Sequence, residues 1–163
     1  MDWYLVVDAD TYVLWPNMLR WLGSLNPSKK SYFGSQVEIG DVKFAHGGSG
    51  IILSRAAMVE LVVKNNGTAG KWDDKTSDKC CGDLVLAMAL GEYGIKLQDT
   101  WPLMSGETPS TMPFGPATPE YWCRSALTMH HLSSVDMVEL ANFEARREAK
   151  SVSIRTHLVK TMN

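Results

Sequence analysis

The amino-acid sequence predicts an α/β domain in which strands and helices alternate along one chain. Three observations support this class: short apolar runs of strand type, intervening segments whose apolar residues follow helical spacing, and a length that suits one domain. The chain has 163 residues, of which 45% are hydrophobic, enough for a single domain with its own core. Alternation of strands and helices is typical of layered α/β domains.

The predicted strands are recognised by short apolar runs or by alternation of apolar and polar residues. They cover residues 3–7, 32–37, 42–45, 95–98 and 127–131, and residues 51–53 form a further apolar run. We expect the first, Trp3 to Val7, to be buried, because its five residues are all apolar.

The predicted helices are recognised by apolar spacing and by N-cap residues. They cover residues 15–22, 82–93, a segment that Ser54 caps and that ends near Lys64, and a segment that Ser133 or Ser134 caps and that ends near Lys150. Residues 26–30 and 65–80 are predicted to be irregular. Residues 101–122 are rich in proline, and we expect a long surface loop of the kind that often carries function.

Charge and hydropathy exclude several functional classes. The net charge of -2 gives no reason to expect a nucleic-acid partner or an anionic membrane surface. No window reaches the roughly 18 consecutive apolar residues of a membrane span, and no signal peptide is recognisable. The chain begins almost inside a strand, which we interpret as the start of a truncated chain.

Two carboxylates follow the first predicted strand. Asp8 and Asp10 are two positions apart, and such residues point to the same side of an extended chain. Paired carboxylate oxygens suit Mg²⁺ or Mn²⁺, and ligands bind at this edge of open α/β sheets. The alternative, which spacing alone favours, is that both residues simply form the turn that ends the strand.

Gly47-Gly48-Ser49-Gly50 is a second candidate element of a site. No Lys-Ser/Thr pair follows it, so it is not a phosphate-binding loop of the Walker type. Its glycines predict a sharply bent backbone that another group can approach closely. A tight turn without a ligand is the alternative.

Asp83 and the pair His130-His131 are the remaining candidates. Asp83 lies at the start of a predicted helix, where it either stabilises the helix N-terminus or acts as a general base. Adjacent histidines on a strand face opposite sides, so we expect at most one of them to face a given metal. Beside the two aspartates, such a histidine would complete a mixed nitrogen and oxygen site that suits Mn²⁺.

The three cysteines, Cys80, Cys81 and Cys123, do not have zinc-site spacing. Adjacent cysteines rarely bond each other, so one of the pair could bond Cys123 if the compartment is oxidising, and Cys81–Cys123 is the possible disulfide. Three reduced thiols are the alternative.

Five motifs in this order resemble one family, the Fringe-like β-1,3-glycosyltransferases of glycosyltransferase family 31. The resemblance is closest to the fungal-type, core-1 galactosyltransferase-like branch and covers residues 1 to about 145. The motifs are WYLVVDADTYV at 3–13, FAHGGSGIILS at 44–54, CCGDL at 80–84, GET at 106–108 with PF at 113–114, and MHH at 129–131.

The resemblance implies the C-terminal portion of a GT-A-type fold, a mixed sheet flanked by helices, with the N-terminal nucleotide-binding half largely missing. Residues 1–150 would form this partial domain and residues 151–163 a tail. The family acts in the Golgi lumen and is anchored by an N-terminal membrane helix that this chain lacks. We therefore expect a fragment that is weakly active or inactive alone.

The resemblance also implies roles for the candidate residues. Asp8, Asp10 and His130 would bind Mn²⁺ or another divalent cation, with His131 as the alternative histidine. Asp83 would be the catalytic base, although the acid that usually precedes it is Gly82 here. Residues that would contact the substrate are Gly47, Gly48, Ser49, Glu107 and His131.

The implied reaction transfers a sugar, galactose by resemblance, from a UDP-sugar to a hydroxyl of a glycan or glycoprotein, in β-1,3 linkage and with inversion. Two other functions are compatible with the same residues. One is a non-catalytic glycan-binding or chaperone-like member of the fold. The other is a metal-dependent phosphohydrolase that uses the same aspartates.

Overall fold

The computed structural model describes residues 1–112 and 124–161, with side chains described as far as residue 147. The chain divides into two compact units, Met1–His131 and Leu132–Asn163. The first unit contains the sheet and all candidate site residues that the structure describes. The second consists of one long helix and the residues beside it.

A four-stranded mixed sheet forms the centre of the first unit. Its strand order is β1-β6-β3-β7. Strand β6 pairs antiparallel with both β1 and β3, whereas β3 and β7 run parallel. The strands are β1 (Trp3–Val6), β3 (Tyr32–Gly34), β6 (Ile51–Ser54) and β7 (Leu97–Asp99).

Two short antiparallel ribbons accompany this sheet. One pairs β2 (Tyr12–Val13) with β8 (Thr128–Met129). The other pairs β4 (Gln36–Ile39) with β5 (Val42–Ala45). The first ribbon is the element that positions the candidate site, because it brings the segment after β1 beside the segment that ends the first unit.

Helices alternate with strands along the chain, as the predicted α/β class requires. They are α1 (Trp15–Leu22), α2 (Arg55–Met58) with a π-helical continuation (Val59–Lys64), α3 (Thr68–Thr76), α4 (Gly82–Glu92) and α5 (Ser134–Thr161). Ser54 caps α2 as predicted, since its hydroxyl oxygen accepts the Ala57 N–H at 3.1 Å. The Ser133 hydroxyl oxygen accepts the Asp136 N–H at 3.2 Å at the start of α5.

The core lies on both faces of the main sheet, as alternation along β6 shows. Ile51 and Leu53 belong to a cluster with residues of α3 and α4. Ile52 belongs to a second cluster that includes Met18 of α1. Because successive strand residues point to opposite faces, the sheet is covered by helices on both sides. The predicted fold class, a mixed α/β domain, is confirmed.

Several predicted elements differ from the structure. The first strand, which we expected to be buried over Trp3 to Val7, is only partly buried and its end at Val6 is exposed, because β1 is an edge strand of the described sheet. Residues 68–76 form α3 rather than an irregular segment, because Trp72 is buried against the core cluster and fixes one face of the helix. The strand predicted over 32–37 is interrupted at Ser35. The final helix continues past residue 150, where we predicted its end and a tail, to Thr161.

The interruption at Ser35 has a steric origin. A Cβ at Gly34 would overlap the Cβ of Ala45, so this glycine allows β5 to pass close to β3. Beyond it the chain leaves the main sheet, and residues 36–39 pair with β5 instead. No helix within the described part of the chain combines the length and apolar character that a bilayer span requires.

Candidate active site

The turn after β1 presents the two predicted carboxylates to the end of β8. The Thr11 N–H donates to the Asp8 carbonyl oxygen at 3.1 Å, which closes the Asp8-Ala9-Asp10 turn. Tyr12 then pairs with Met129 in the β2–β8 ribbon. Extended outward, this antiparallel register brings Thr11 opposite His130 and therefore brings Asp10, the preceding residue, close to both His130 and His131.

Asp10 and His130 are in direct contact. Asp10 Oδ1 lies 3.2 Å from His130 Nε2, and Asp8 Oδ2 lies 3.9 Å from the same nitrogen. Asp10, His130 and His131 each offer one possible ligand atom, and these three atoms lie within 4.8 Å of one another. Asp8 therefore lies at the margin of this group, whereas Asp10 is central to it.

Both histidines reach Asp10, so the expectation that at most one would do so is wrong. Strand β8 ends at Met129, and His131 has a positive φ of 60°, which breaks the alternation of side chains. The His130 and His131 ring centroids are 3.8 Å apart. His131 Nδ1 lies 3.7 Å from Asp10 Oδ2.

Burial favours the neutral form of His130. Its side chain is only 7% exposed, and burial lowers its pKa below the usual value, with Asp10 acting in the opposite direction. The neutral imidazole is the form that binds a metal. Within the described part of the chain, the buried Nδ1 of His130 has no hydrogen-bond partner.

The glycine loop is packed directly against this histidine. A Cβ at Gly48 would overlap the His130 ring, so the close approach that the glycines predict is present. The Thr11 hydroxyl donates to the Gly48 carbonyl oxygen at 2.7 Å, and the Thr128 hydroxyl donates to the Ser49 carbonyl oxygen at 2.5 Å. The loop is thereby fixed to β8 and to Thr11, the residue that precedes β2.

Asp83 contacts the other end of the same loop. Its Oδ2 accepts the Gly47 N–H at 2.9 Å, and its Oδ1 accepts the Leu84 N–H at 2.8 Å. Asp83 lies in the first turn of α4 and is half-buried. The loop therefore lies between the predicted base and His130.

A cleft of about 540 Å³ lies beside the histidines. Three predicted substrate-contacting residues line it, namely Ser49, Glu107 and His131, whereas Asp83 is not among the described residues that do. The cleft is also lined by residues that sequence reasoning did not assign: Ser35, Val37, His46, Trp101, Ser105, Gly106, Thr108 and Thr111.

Of these unassigned residues, His46 and Ser105 have the clearest structural role. The Ser105 hydroxyl oxygen accepts the Glu107 N–H at 3.1 Å and so holds the loop that carries the predicted Glu107. His46 bonds to Ser49, as described below. The sequence signal for His46 was its position directly before the two glycines, and for Ser105 its position directly before the Gly-Glu-Thr motif.

The predicted cysteine pairing requires correction. The structure joins Cys80 to Cys81 by a disulfide, although we expected adjacent cysteines not to bond each other. Because a sulfur forms only one disulfide, Cys81 is not available to Cys123. Cys123 itself, like Pro113 and Phe114 of the fourth motif, lies outside the described residues.

The fold and the site together define a class: a mixed α/β domain with a carboxylate and imidazole cluster beside a hydroxyl-rich cleft. The family model described as Fringe-like matches residues 1–105, and the chain belongs to the Fringe-like family. This family lies within glycosyltransferase family 31, so the chain is a glycosyltransferase by family, with a sugar donor and a glycan acceptor. Fringe-like proteins are typically found in the secretory pathway.

The matched region includes Asp8, Asp10, the glycine loop and Asp83, whereas Glu107, His130 and His131 lie beyond it. Fringe-like glycosyltransferases often depend on a divalent cation. The cluster at Asp10 is the group of described residues with ligand atoms close enough for one.

Proposed function

We propose that this protein is a divalent-cation-dependent transferase that moves a hexose from a UDP-sugar to a hydroxyl of a glycan or glycoprotein. The proposed linkage is β-1,3, the proposed sugar is galactose, and the anomeric centre is inverted. The observation that carries the proposal is the contact at 3.2 Å between Asp10 Oδ1 and His130 Nε2. The proposed compartment is the Golgi lumen.

The donor set fits Mn²⁺. Carboxylate oxygens and a neutral imidazole nitrogen are ligands that Mn²⁺ accepts, and burial favours the neutral form of His130 by lowering its pKa. Asp10 and His130 would hold the ion directly, and Asp8, at 3.9 Å from His130 Nε2, would complete the protein ligands. When bound, the cation supplies charge neutralisation to the departing diphosphate, an effect worth several kcal/mol.

Asp83 is the proposed general base. Its carboxylate would take the proton of the acceptor hydroxyl as that oxygen attacks the anomeric carbon of the donor sugar. A carboxylate has about four lone-pair sites, and the bonds from Gly47 and Leu84 use one on each oxygen. Oδ2 therefore keeps a lone-pair site for the acceptor hydroxyl, and the bond from the Gly47 N–H holds the carboxylate in place.

The loop that joins the base to the metal ligands supports a single reaction centre. Gly47 bonds to Asp83, and Gly48 packs against His130. Ser49, Glu107 and His131 line the adjacent cleft. Substrate bound there would lie next to the proposed cation, and the glycine loop would connect it to the proposed base, Asp83.

A second candidate function is that of a non-catalytic glycan-binding or chaperone-like member of the family. Two observations favour it: both oxygens of Asp83 already accept backbone N–H groups, and Asp83 is not among the described residues that line the cleft. In that case Asp83 has a structural role, in which it fixes the glycine loop to the N-terminus of α4.

The metal site is tested by calorimetric titration of the chain with Mn²⁺. The wild-type chain should bind one ion, and Asp10→Asn should weaken binding by roughly tenfold or more, since even outer-shell partners of metal ligands contribute about 10–100-fold. Asp73→Asn, which removes an exposed carboxylate on α3, is the matched control and should bind like the wild type. Equal affinities for all three proteins would contradict the site.

Turnover is tested separately by UDP release from UDP-galactose in the presence of Mn²⁺, with and without a glycan acceptor. Transfer requires the acceptor, whereas hydrolysis does not. Mn²⁺ and glycan binding without release of UDP would favour the non-catalytic function.

A further inference from the structure

His46 lies at the edge of the cleft and at the start of the glycine loop. It follows β5, and its N–H donates to the Ser35 carbonyl oxygen at 2.8 Å. The side chain is half-buried and lines the cleft together with Ser49 and Glu107. Its ring packs edge-on against that of His130, with 5.4 Å between the ring centroids.

The hydrogen bonds of His46 fix its tautomer. The Ser49 N–H donates to His46 Nδ1 at 3.1 Å, so Nδ1 acts as an acceptor and carries no proton. The Ser49 hydroxyl, at 3.0 Å from the same nitrogen, then donates as well. The proton of the neutral ring is consequently on Nε2, which has no hydrogen-bond partner within the described part of the chain.

The chemistry of the cleft indicates what this N–H would meet. Its described lining carries five hydroxyl side chains and the carboxylate of Glu107, but neither Lys nor Arg. Trp101, half-exposed, adds an aromatic surface. Phosphate recognition relies on cationic donors, so this lining disfavours a phosphate group. It suits a neutral, hydroxyl-rich ring, since hydroxyl and carboxylate groups pair with sugar hydroxyls.

We propose that His46 is a ligand-contacting and specificity-determining residue, whose Nε2–H donates a hydrogen bond to a hydroxyl oxygen of a pyranose bound in this cleft. The inference rests on the proposed function in that it places a sugar beside the cation site. It adds His46 to the residues that would contact the sugar. It also assigns the direction of the hydrogen bond: the protein donates at this position, and the sugar oxygen accepts.

The variant His46→Asn separates the proposed sugar contact of His46 from its role as the hydrogen-bond acceptor of the glycine loop. An Asn side-chain oxygen accepts backbone N–H groups two or three residues ahead in turns, so it replaces the acceptor that Ser49 needs. It does not replace the N–H on the far side of the imidazole. His46→Asn should therefore keep the Tm and the Mn²⁺ affinity of the wild type.

The experiment is a titration of the protein with each probe, monitored by saturation-transfer NMR. The probes are methyl α-galactopyranoside, methyl β-galactopyranoside and methyl β-glucopyranoside, with inorganic phosphate as an anionic probe. The wild type should bind at least one pyranoside, and His46→Asn should bind it roughly three- to tenfold more weakly, the effect of one neutral hydrogen bond.

A second measurement needs no variant. The nitrogen resonances of His46 should show a proton on Nε2 and none on Nδ1, and only the Nε2 signal should shift strongly when the pyranoside is added. The inference is overturned if His46→Asn binds the pyranoside as the wild type does, if Nδ1 carries the proton, or if the cleft binds phosphate but no pyranoside. Failure of the proposed function would be seen in a different measurement, as absence of Mn²⁺ binding by the wild type.

Discussion

The ring of His130 lies directly against Gly48, with no space for a Cβ between them. The contact joins a candidate metal ligand to the loop that also bonds the candidate base. Glycine is required here for close approach rather than for backbone conformation, since a positive φ within this loop occurs at Gly50 and not at Gly48. The position of His130 therefore depends on a residue with no side chain.

Gly48→Ala should displace His130 and weaken Mn²⁺ binding. The added methyl would overlap the imidazole, and overpacking of this kind typically costs about 1–3 kcal/mol. We expect a lower Tm in thermal unfolding and a Mn²⁺ affinity reduced by roughly tenfold or more, because ligand geometry is lost.

Gly91→Ala is the matched control for this substitution. Gly91 lies within α4, and a Cβ there would meet nothing within 4 Å, so alanine should be neutral or stabilising by roughly 0.5–1 kcal/mol. If Gly48→Ala matched Gly91→Ala in both Tm and Mn²⁺ affinity, the contact would have no role in the site.

Part of the fold and of the candidate site could be predicted from the sequence. The order of the motifs predicted that Asp10 and His130 lie together, and the structure places Asp10 Oδ1 3.2 Å from His130 Nε2; cation binding by this group stays a prediction. Helix α1 was predicted residue for residue, because Pro16 and the apolar spacing define it locally. The helix depends on neighbours along the chain, whereas the pairing of Asp10 with His130 was expected from the resemblance.

Features that depend on distant neighbours were missed. Helix α3 has a polar sequence, and its formation depends on the burial of Trp72 against the core. The approach of both histidines to Asp10 depends on the left-handed conformation of His131, which no local pattern indicated. The contribution of His46 depends on its two contacts with Ser49, which only the folded loop creates.

Protonation of His130 should destabilise the protein as the pH falls. Burial lowers the pKa of His130 in the folded state, whereas in the unfolded chain it is about 6.5. The unfolded state therefore binds more protons between these two values, and the free energy of unfolding rises with pH there. The stabilisation is fully present above about pH 6.5 and is lost as the pH falls through the folded-state pKa.

The measurement is urea unfolding without metal between pH 7.5 and pH 5, at fixed ionic strength. The difference in unfolding free energy between the wild type and His130→Gln should shrink as the pH falls, because the glutamine does not titrate. Gly91→Ala leaves every titratable group in place and should follow the wild-type slope. A difference that stayed constant over this range would contradict the assigned direction of the pKa.

Asp83→Asn distinguishes the catalytic function from the non-catalytic one. The asparagine side-chain oxygen still accepts the Gly47 N–H that Asp83 Oδ2 accepts at 2.9 Å, so the loop and the Mn²⁺ affinity should be retained, whereas the bond from the Leu84 N–H is lost and the Tm should fall. The proton acceptor is lost, and a positioned base typically contributes about 10²–10⁴-fold in rate. We expect UDP release that depends on the acceptor to fall by that factor, with the KM for UDP-galactose nearly unchanged.

Asp83→Ala removes the base and the loop contact together and should also weaken Mn²⁺ binding. If Asp83→Asn transferred sugar at the wild-type rate, another group would be the base, and Asp83 would have only the structural role that its two backbone hydrogen bonds already indicate.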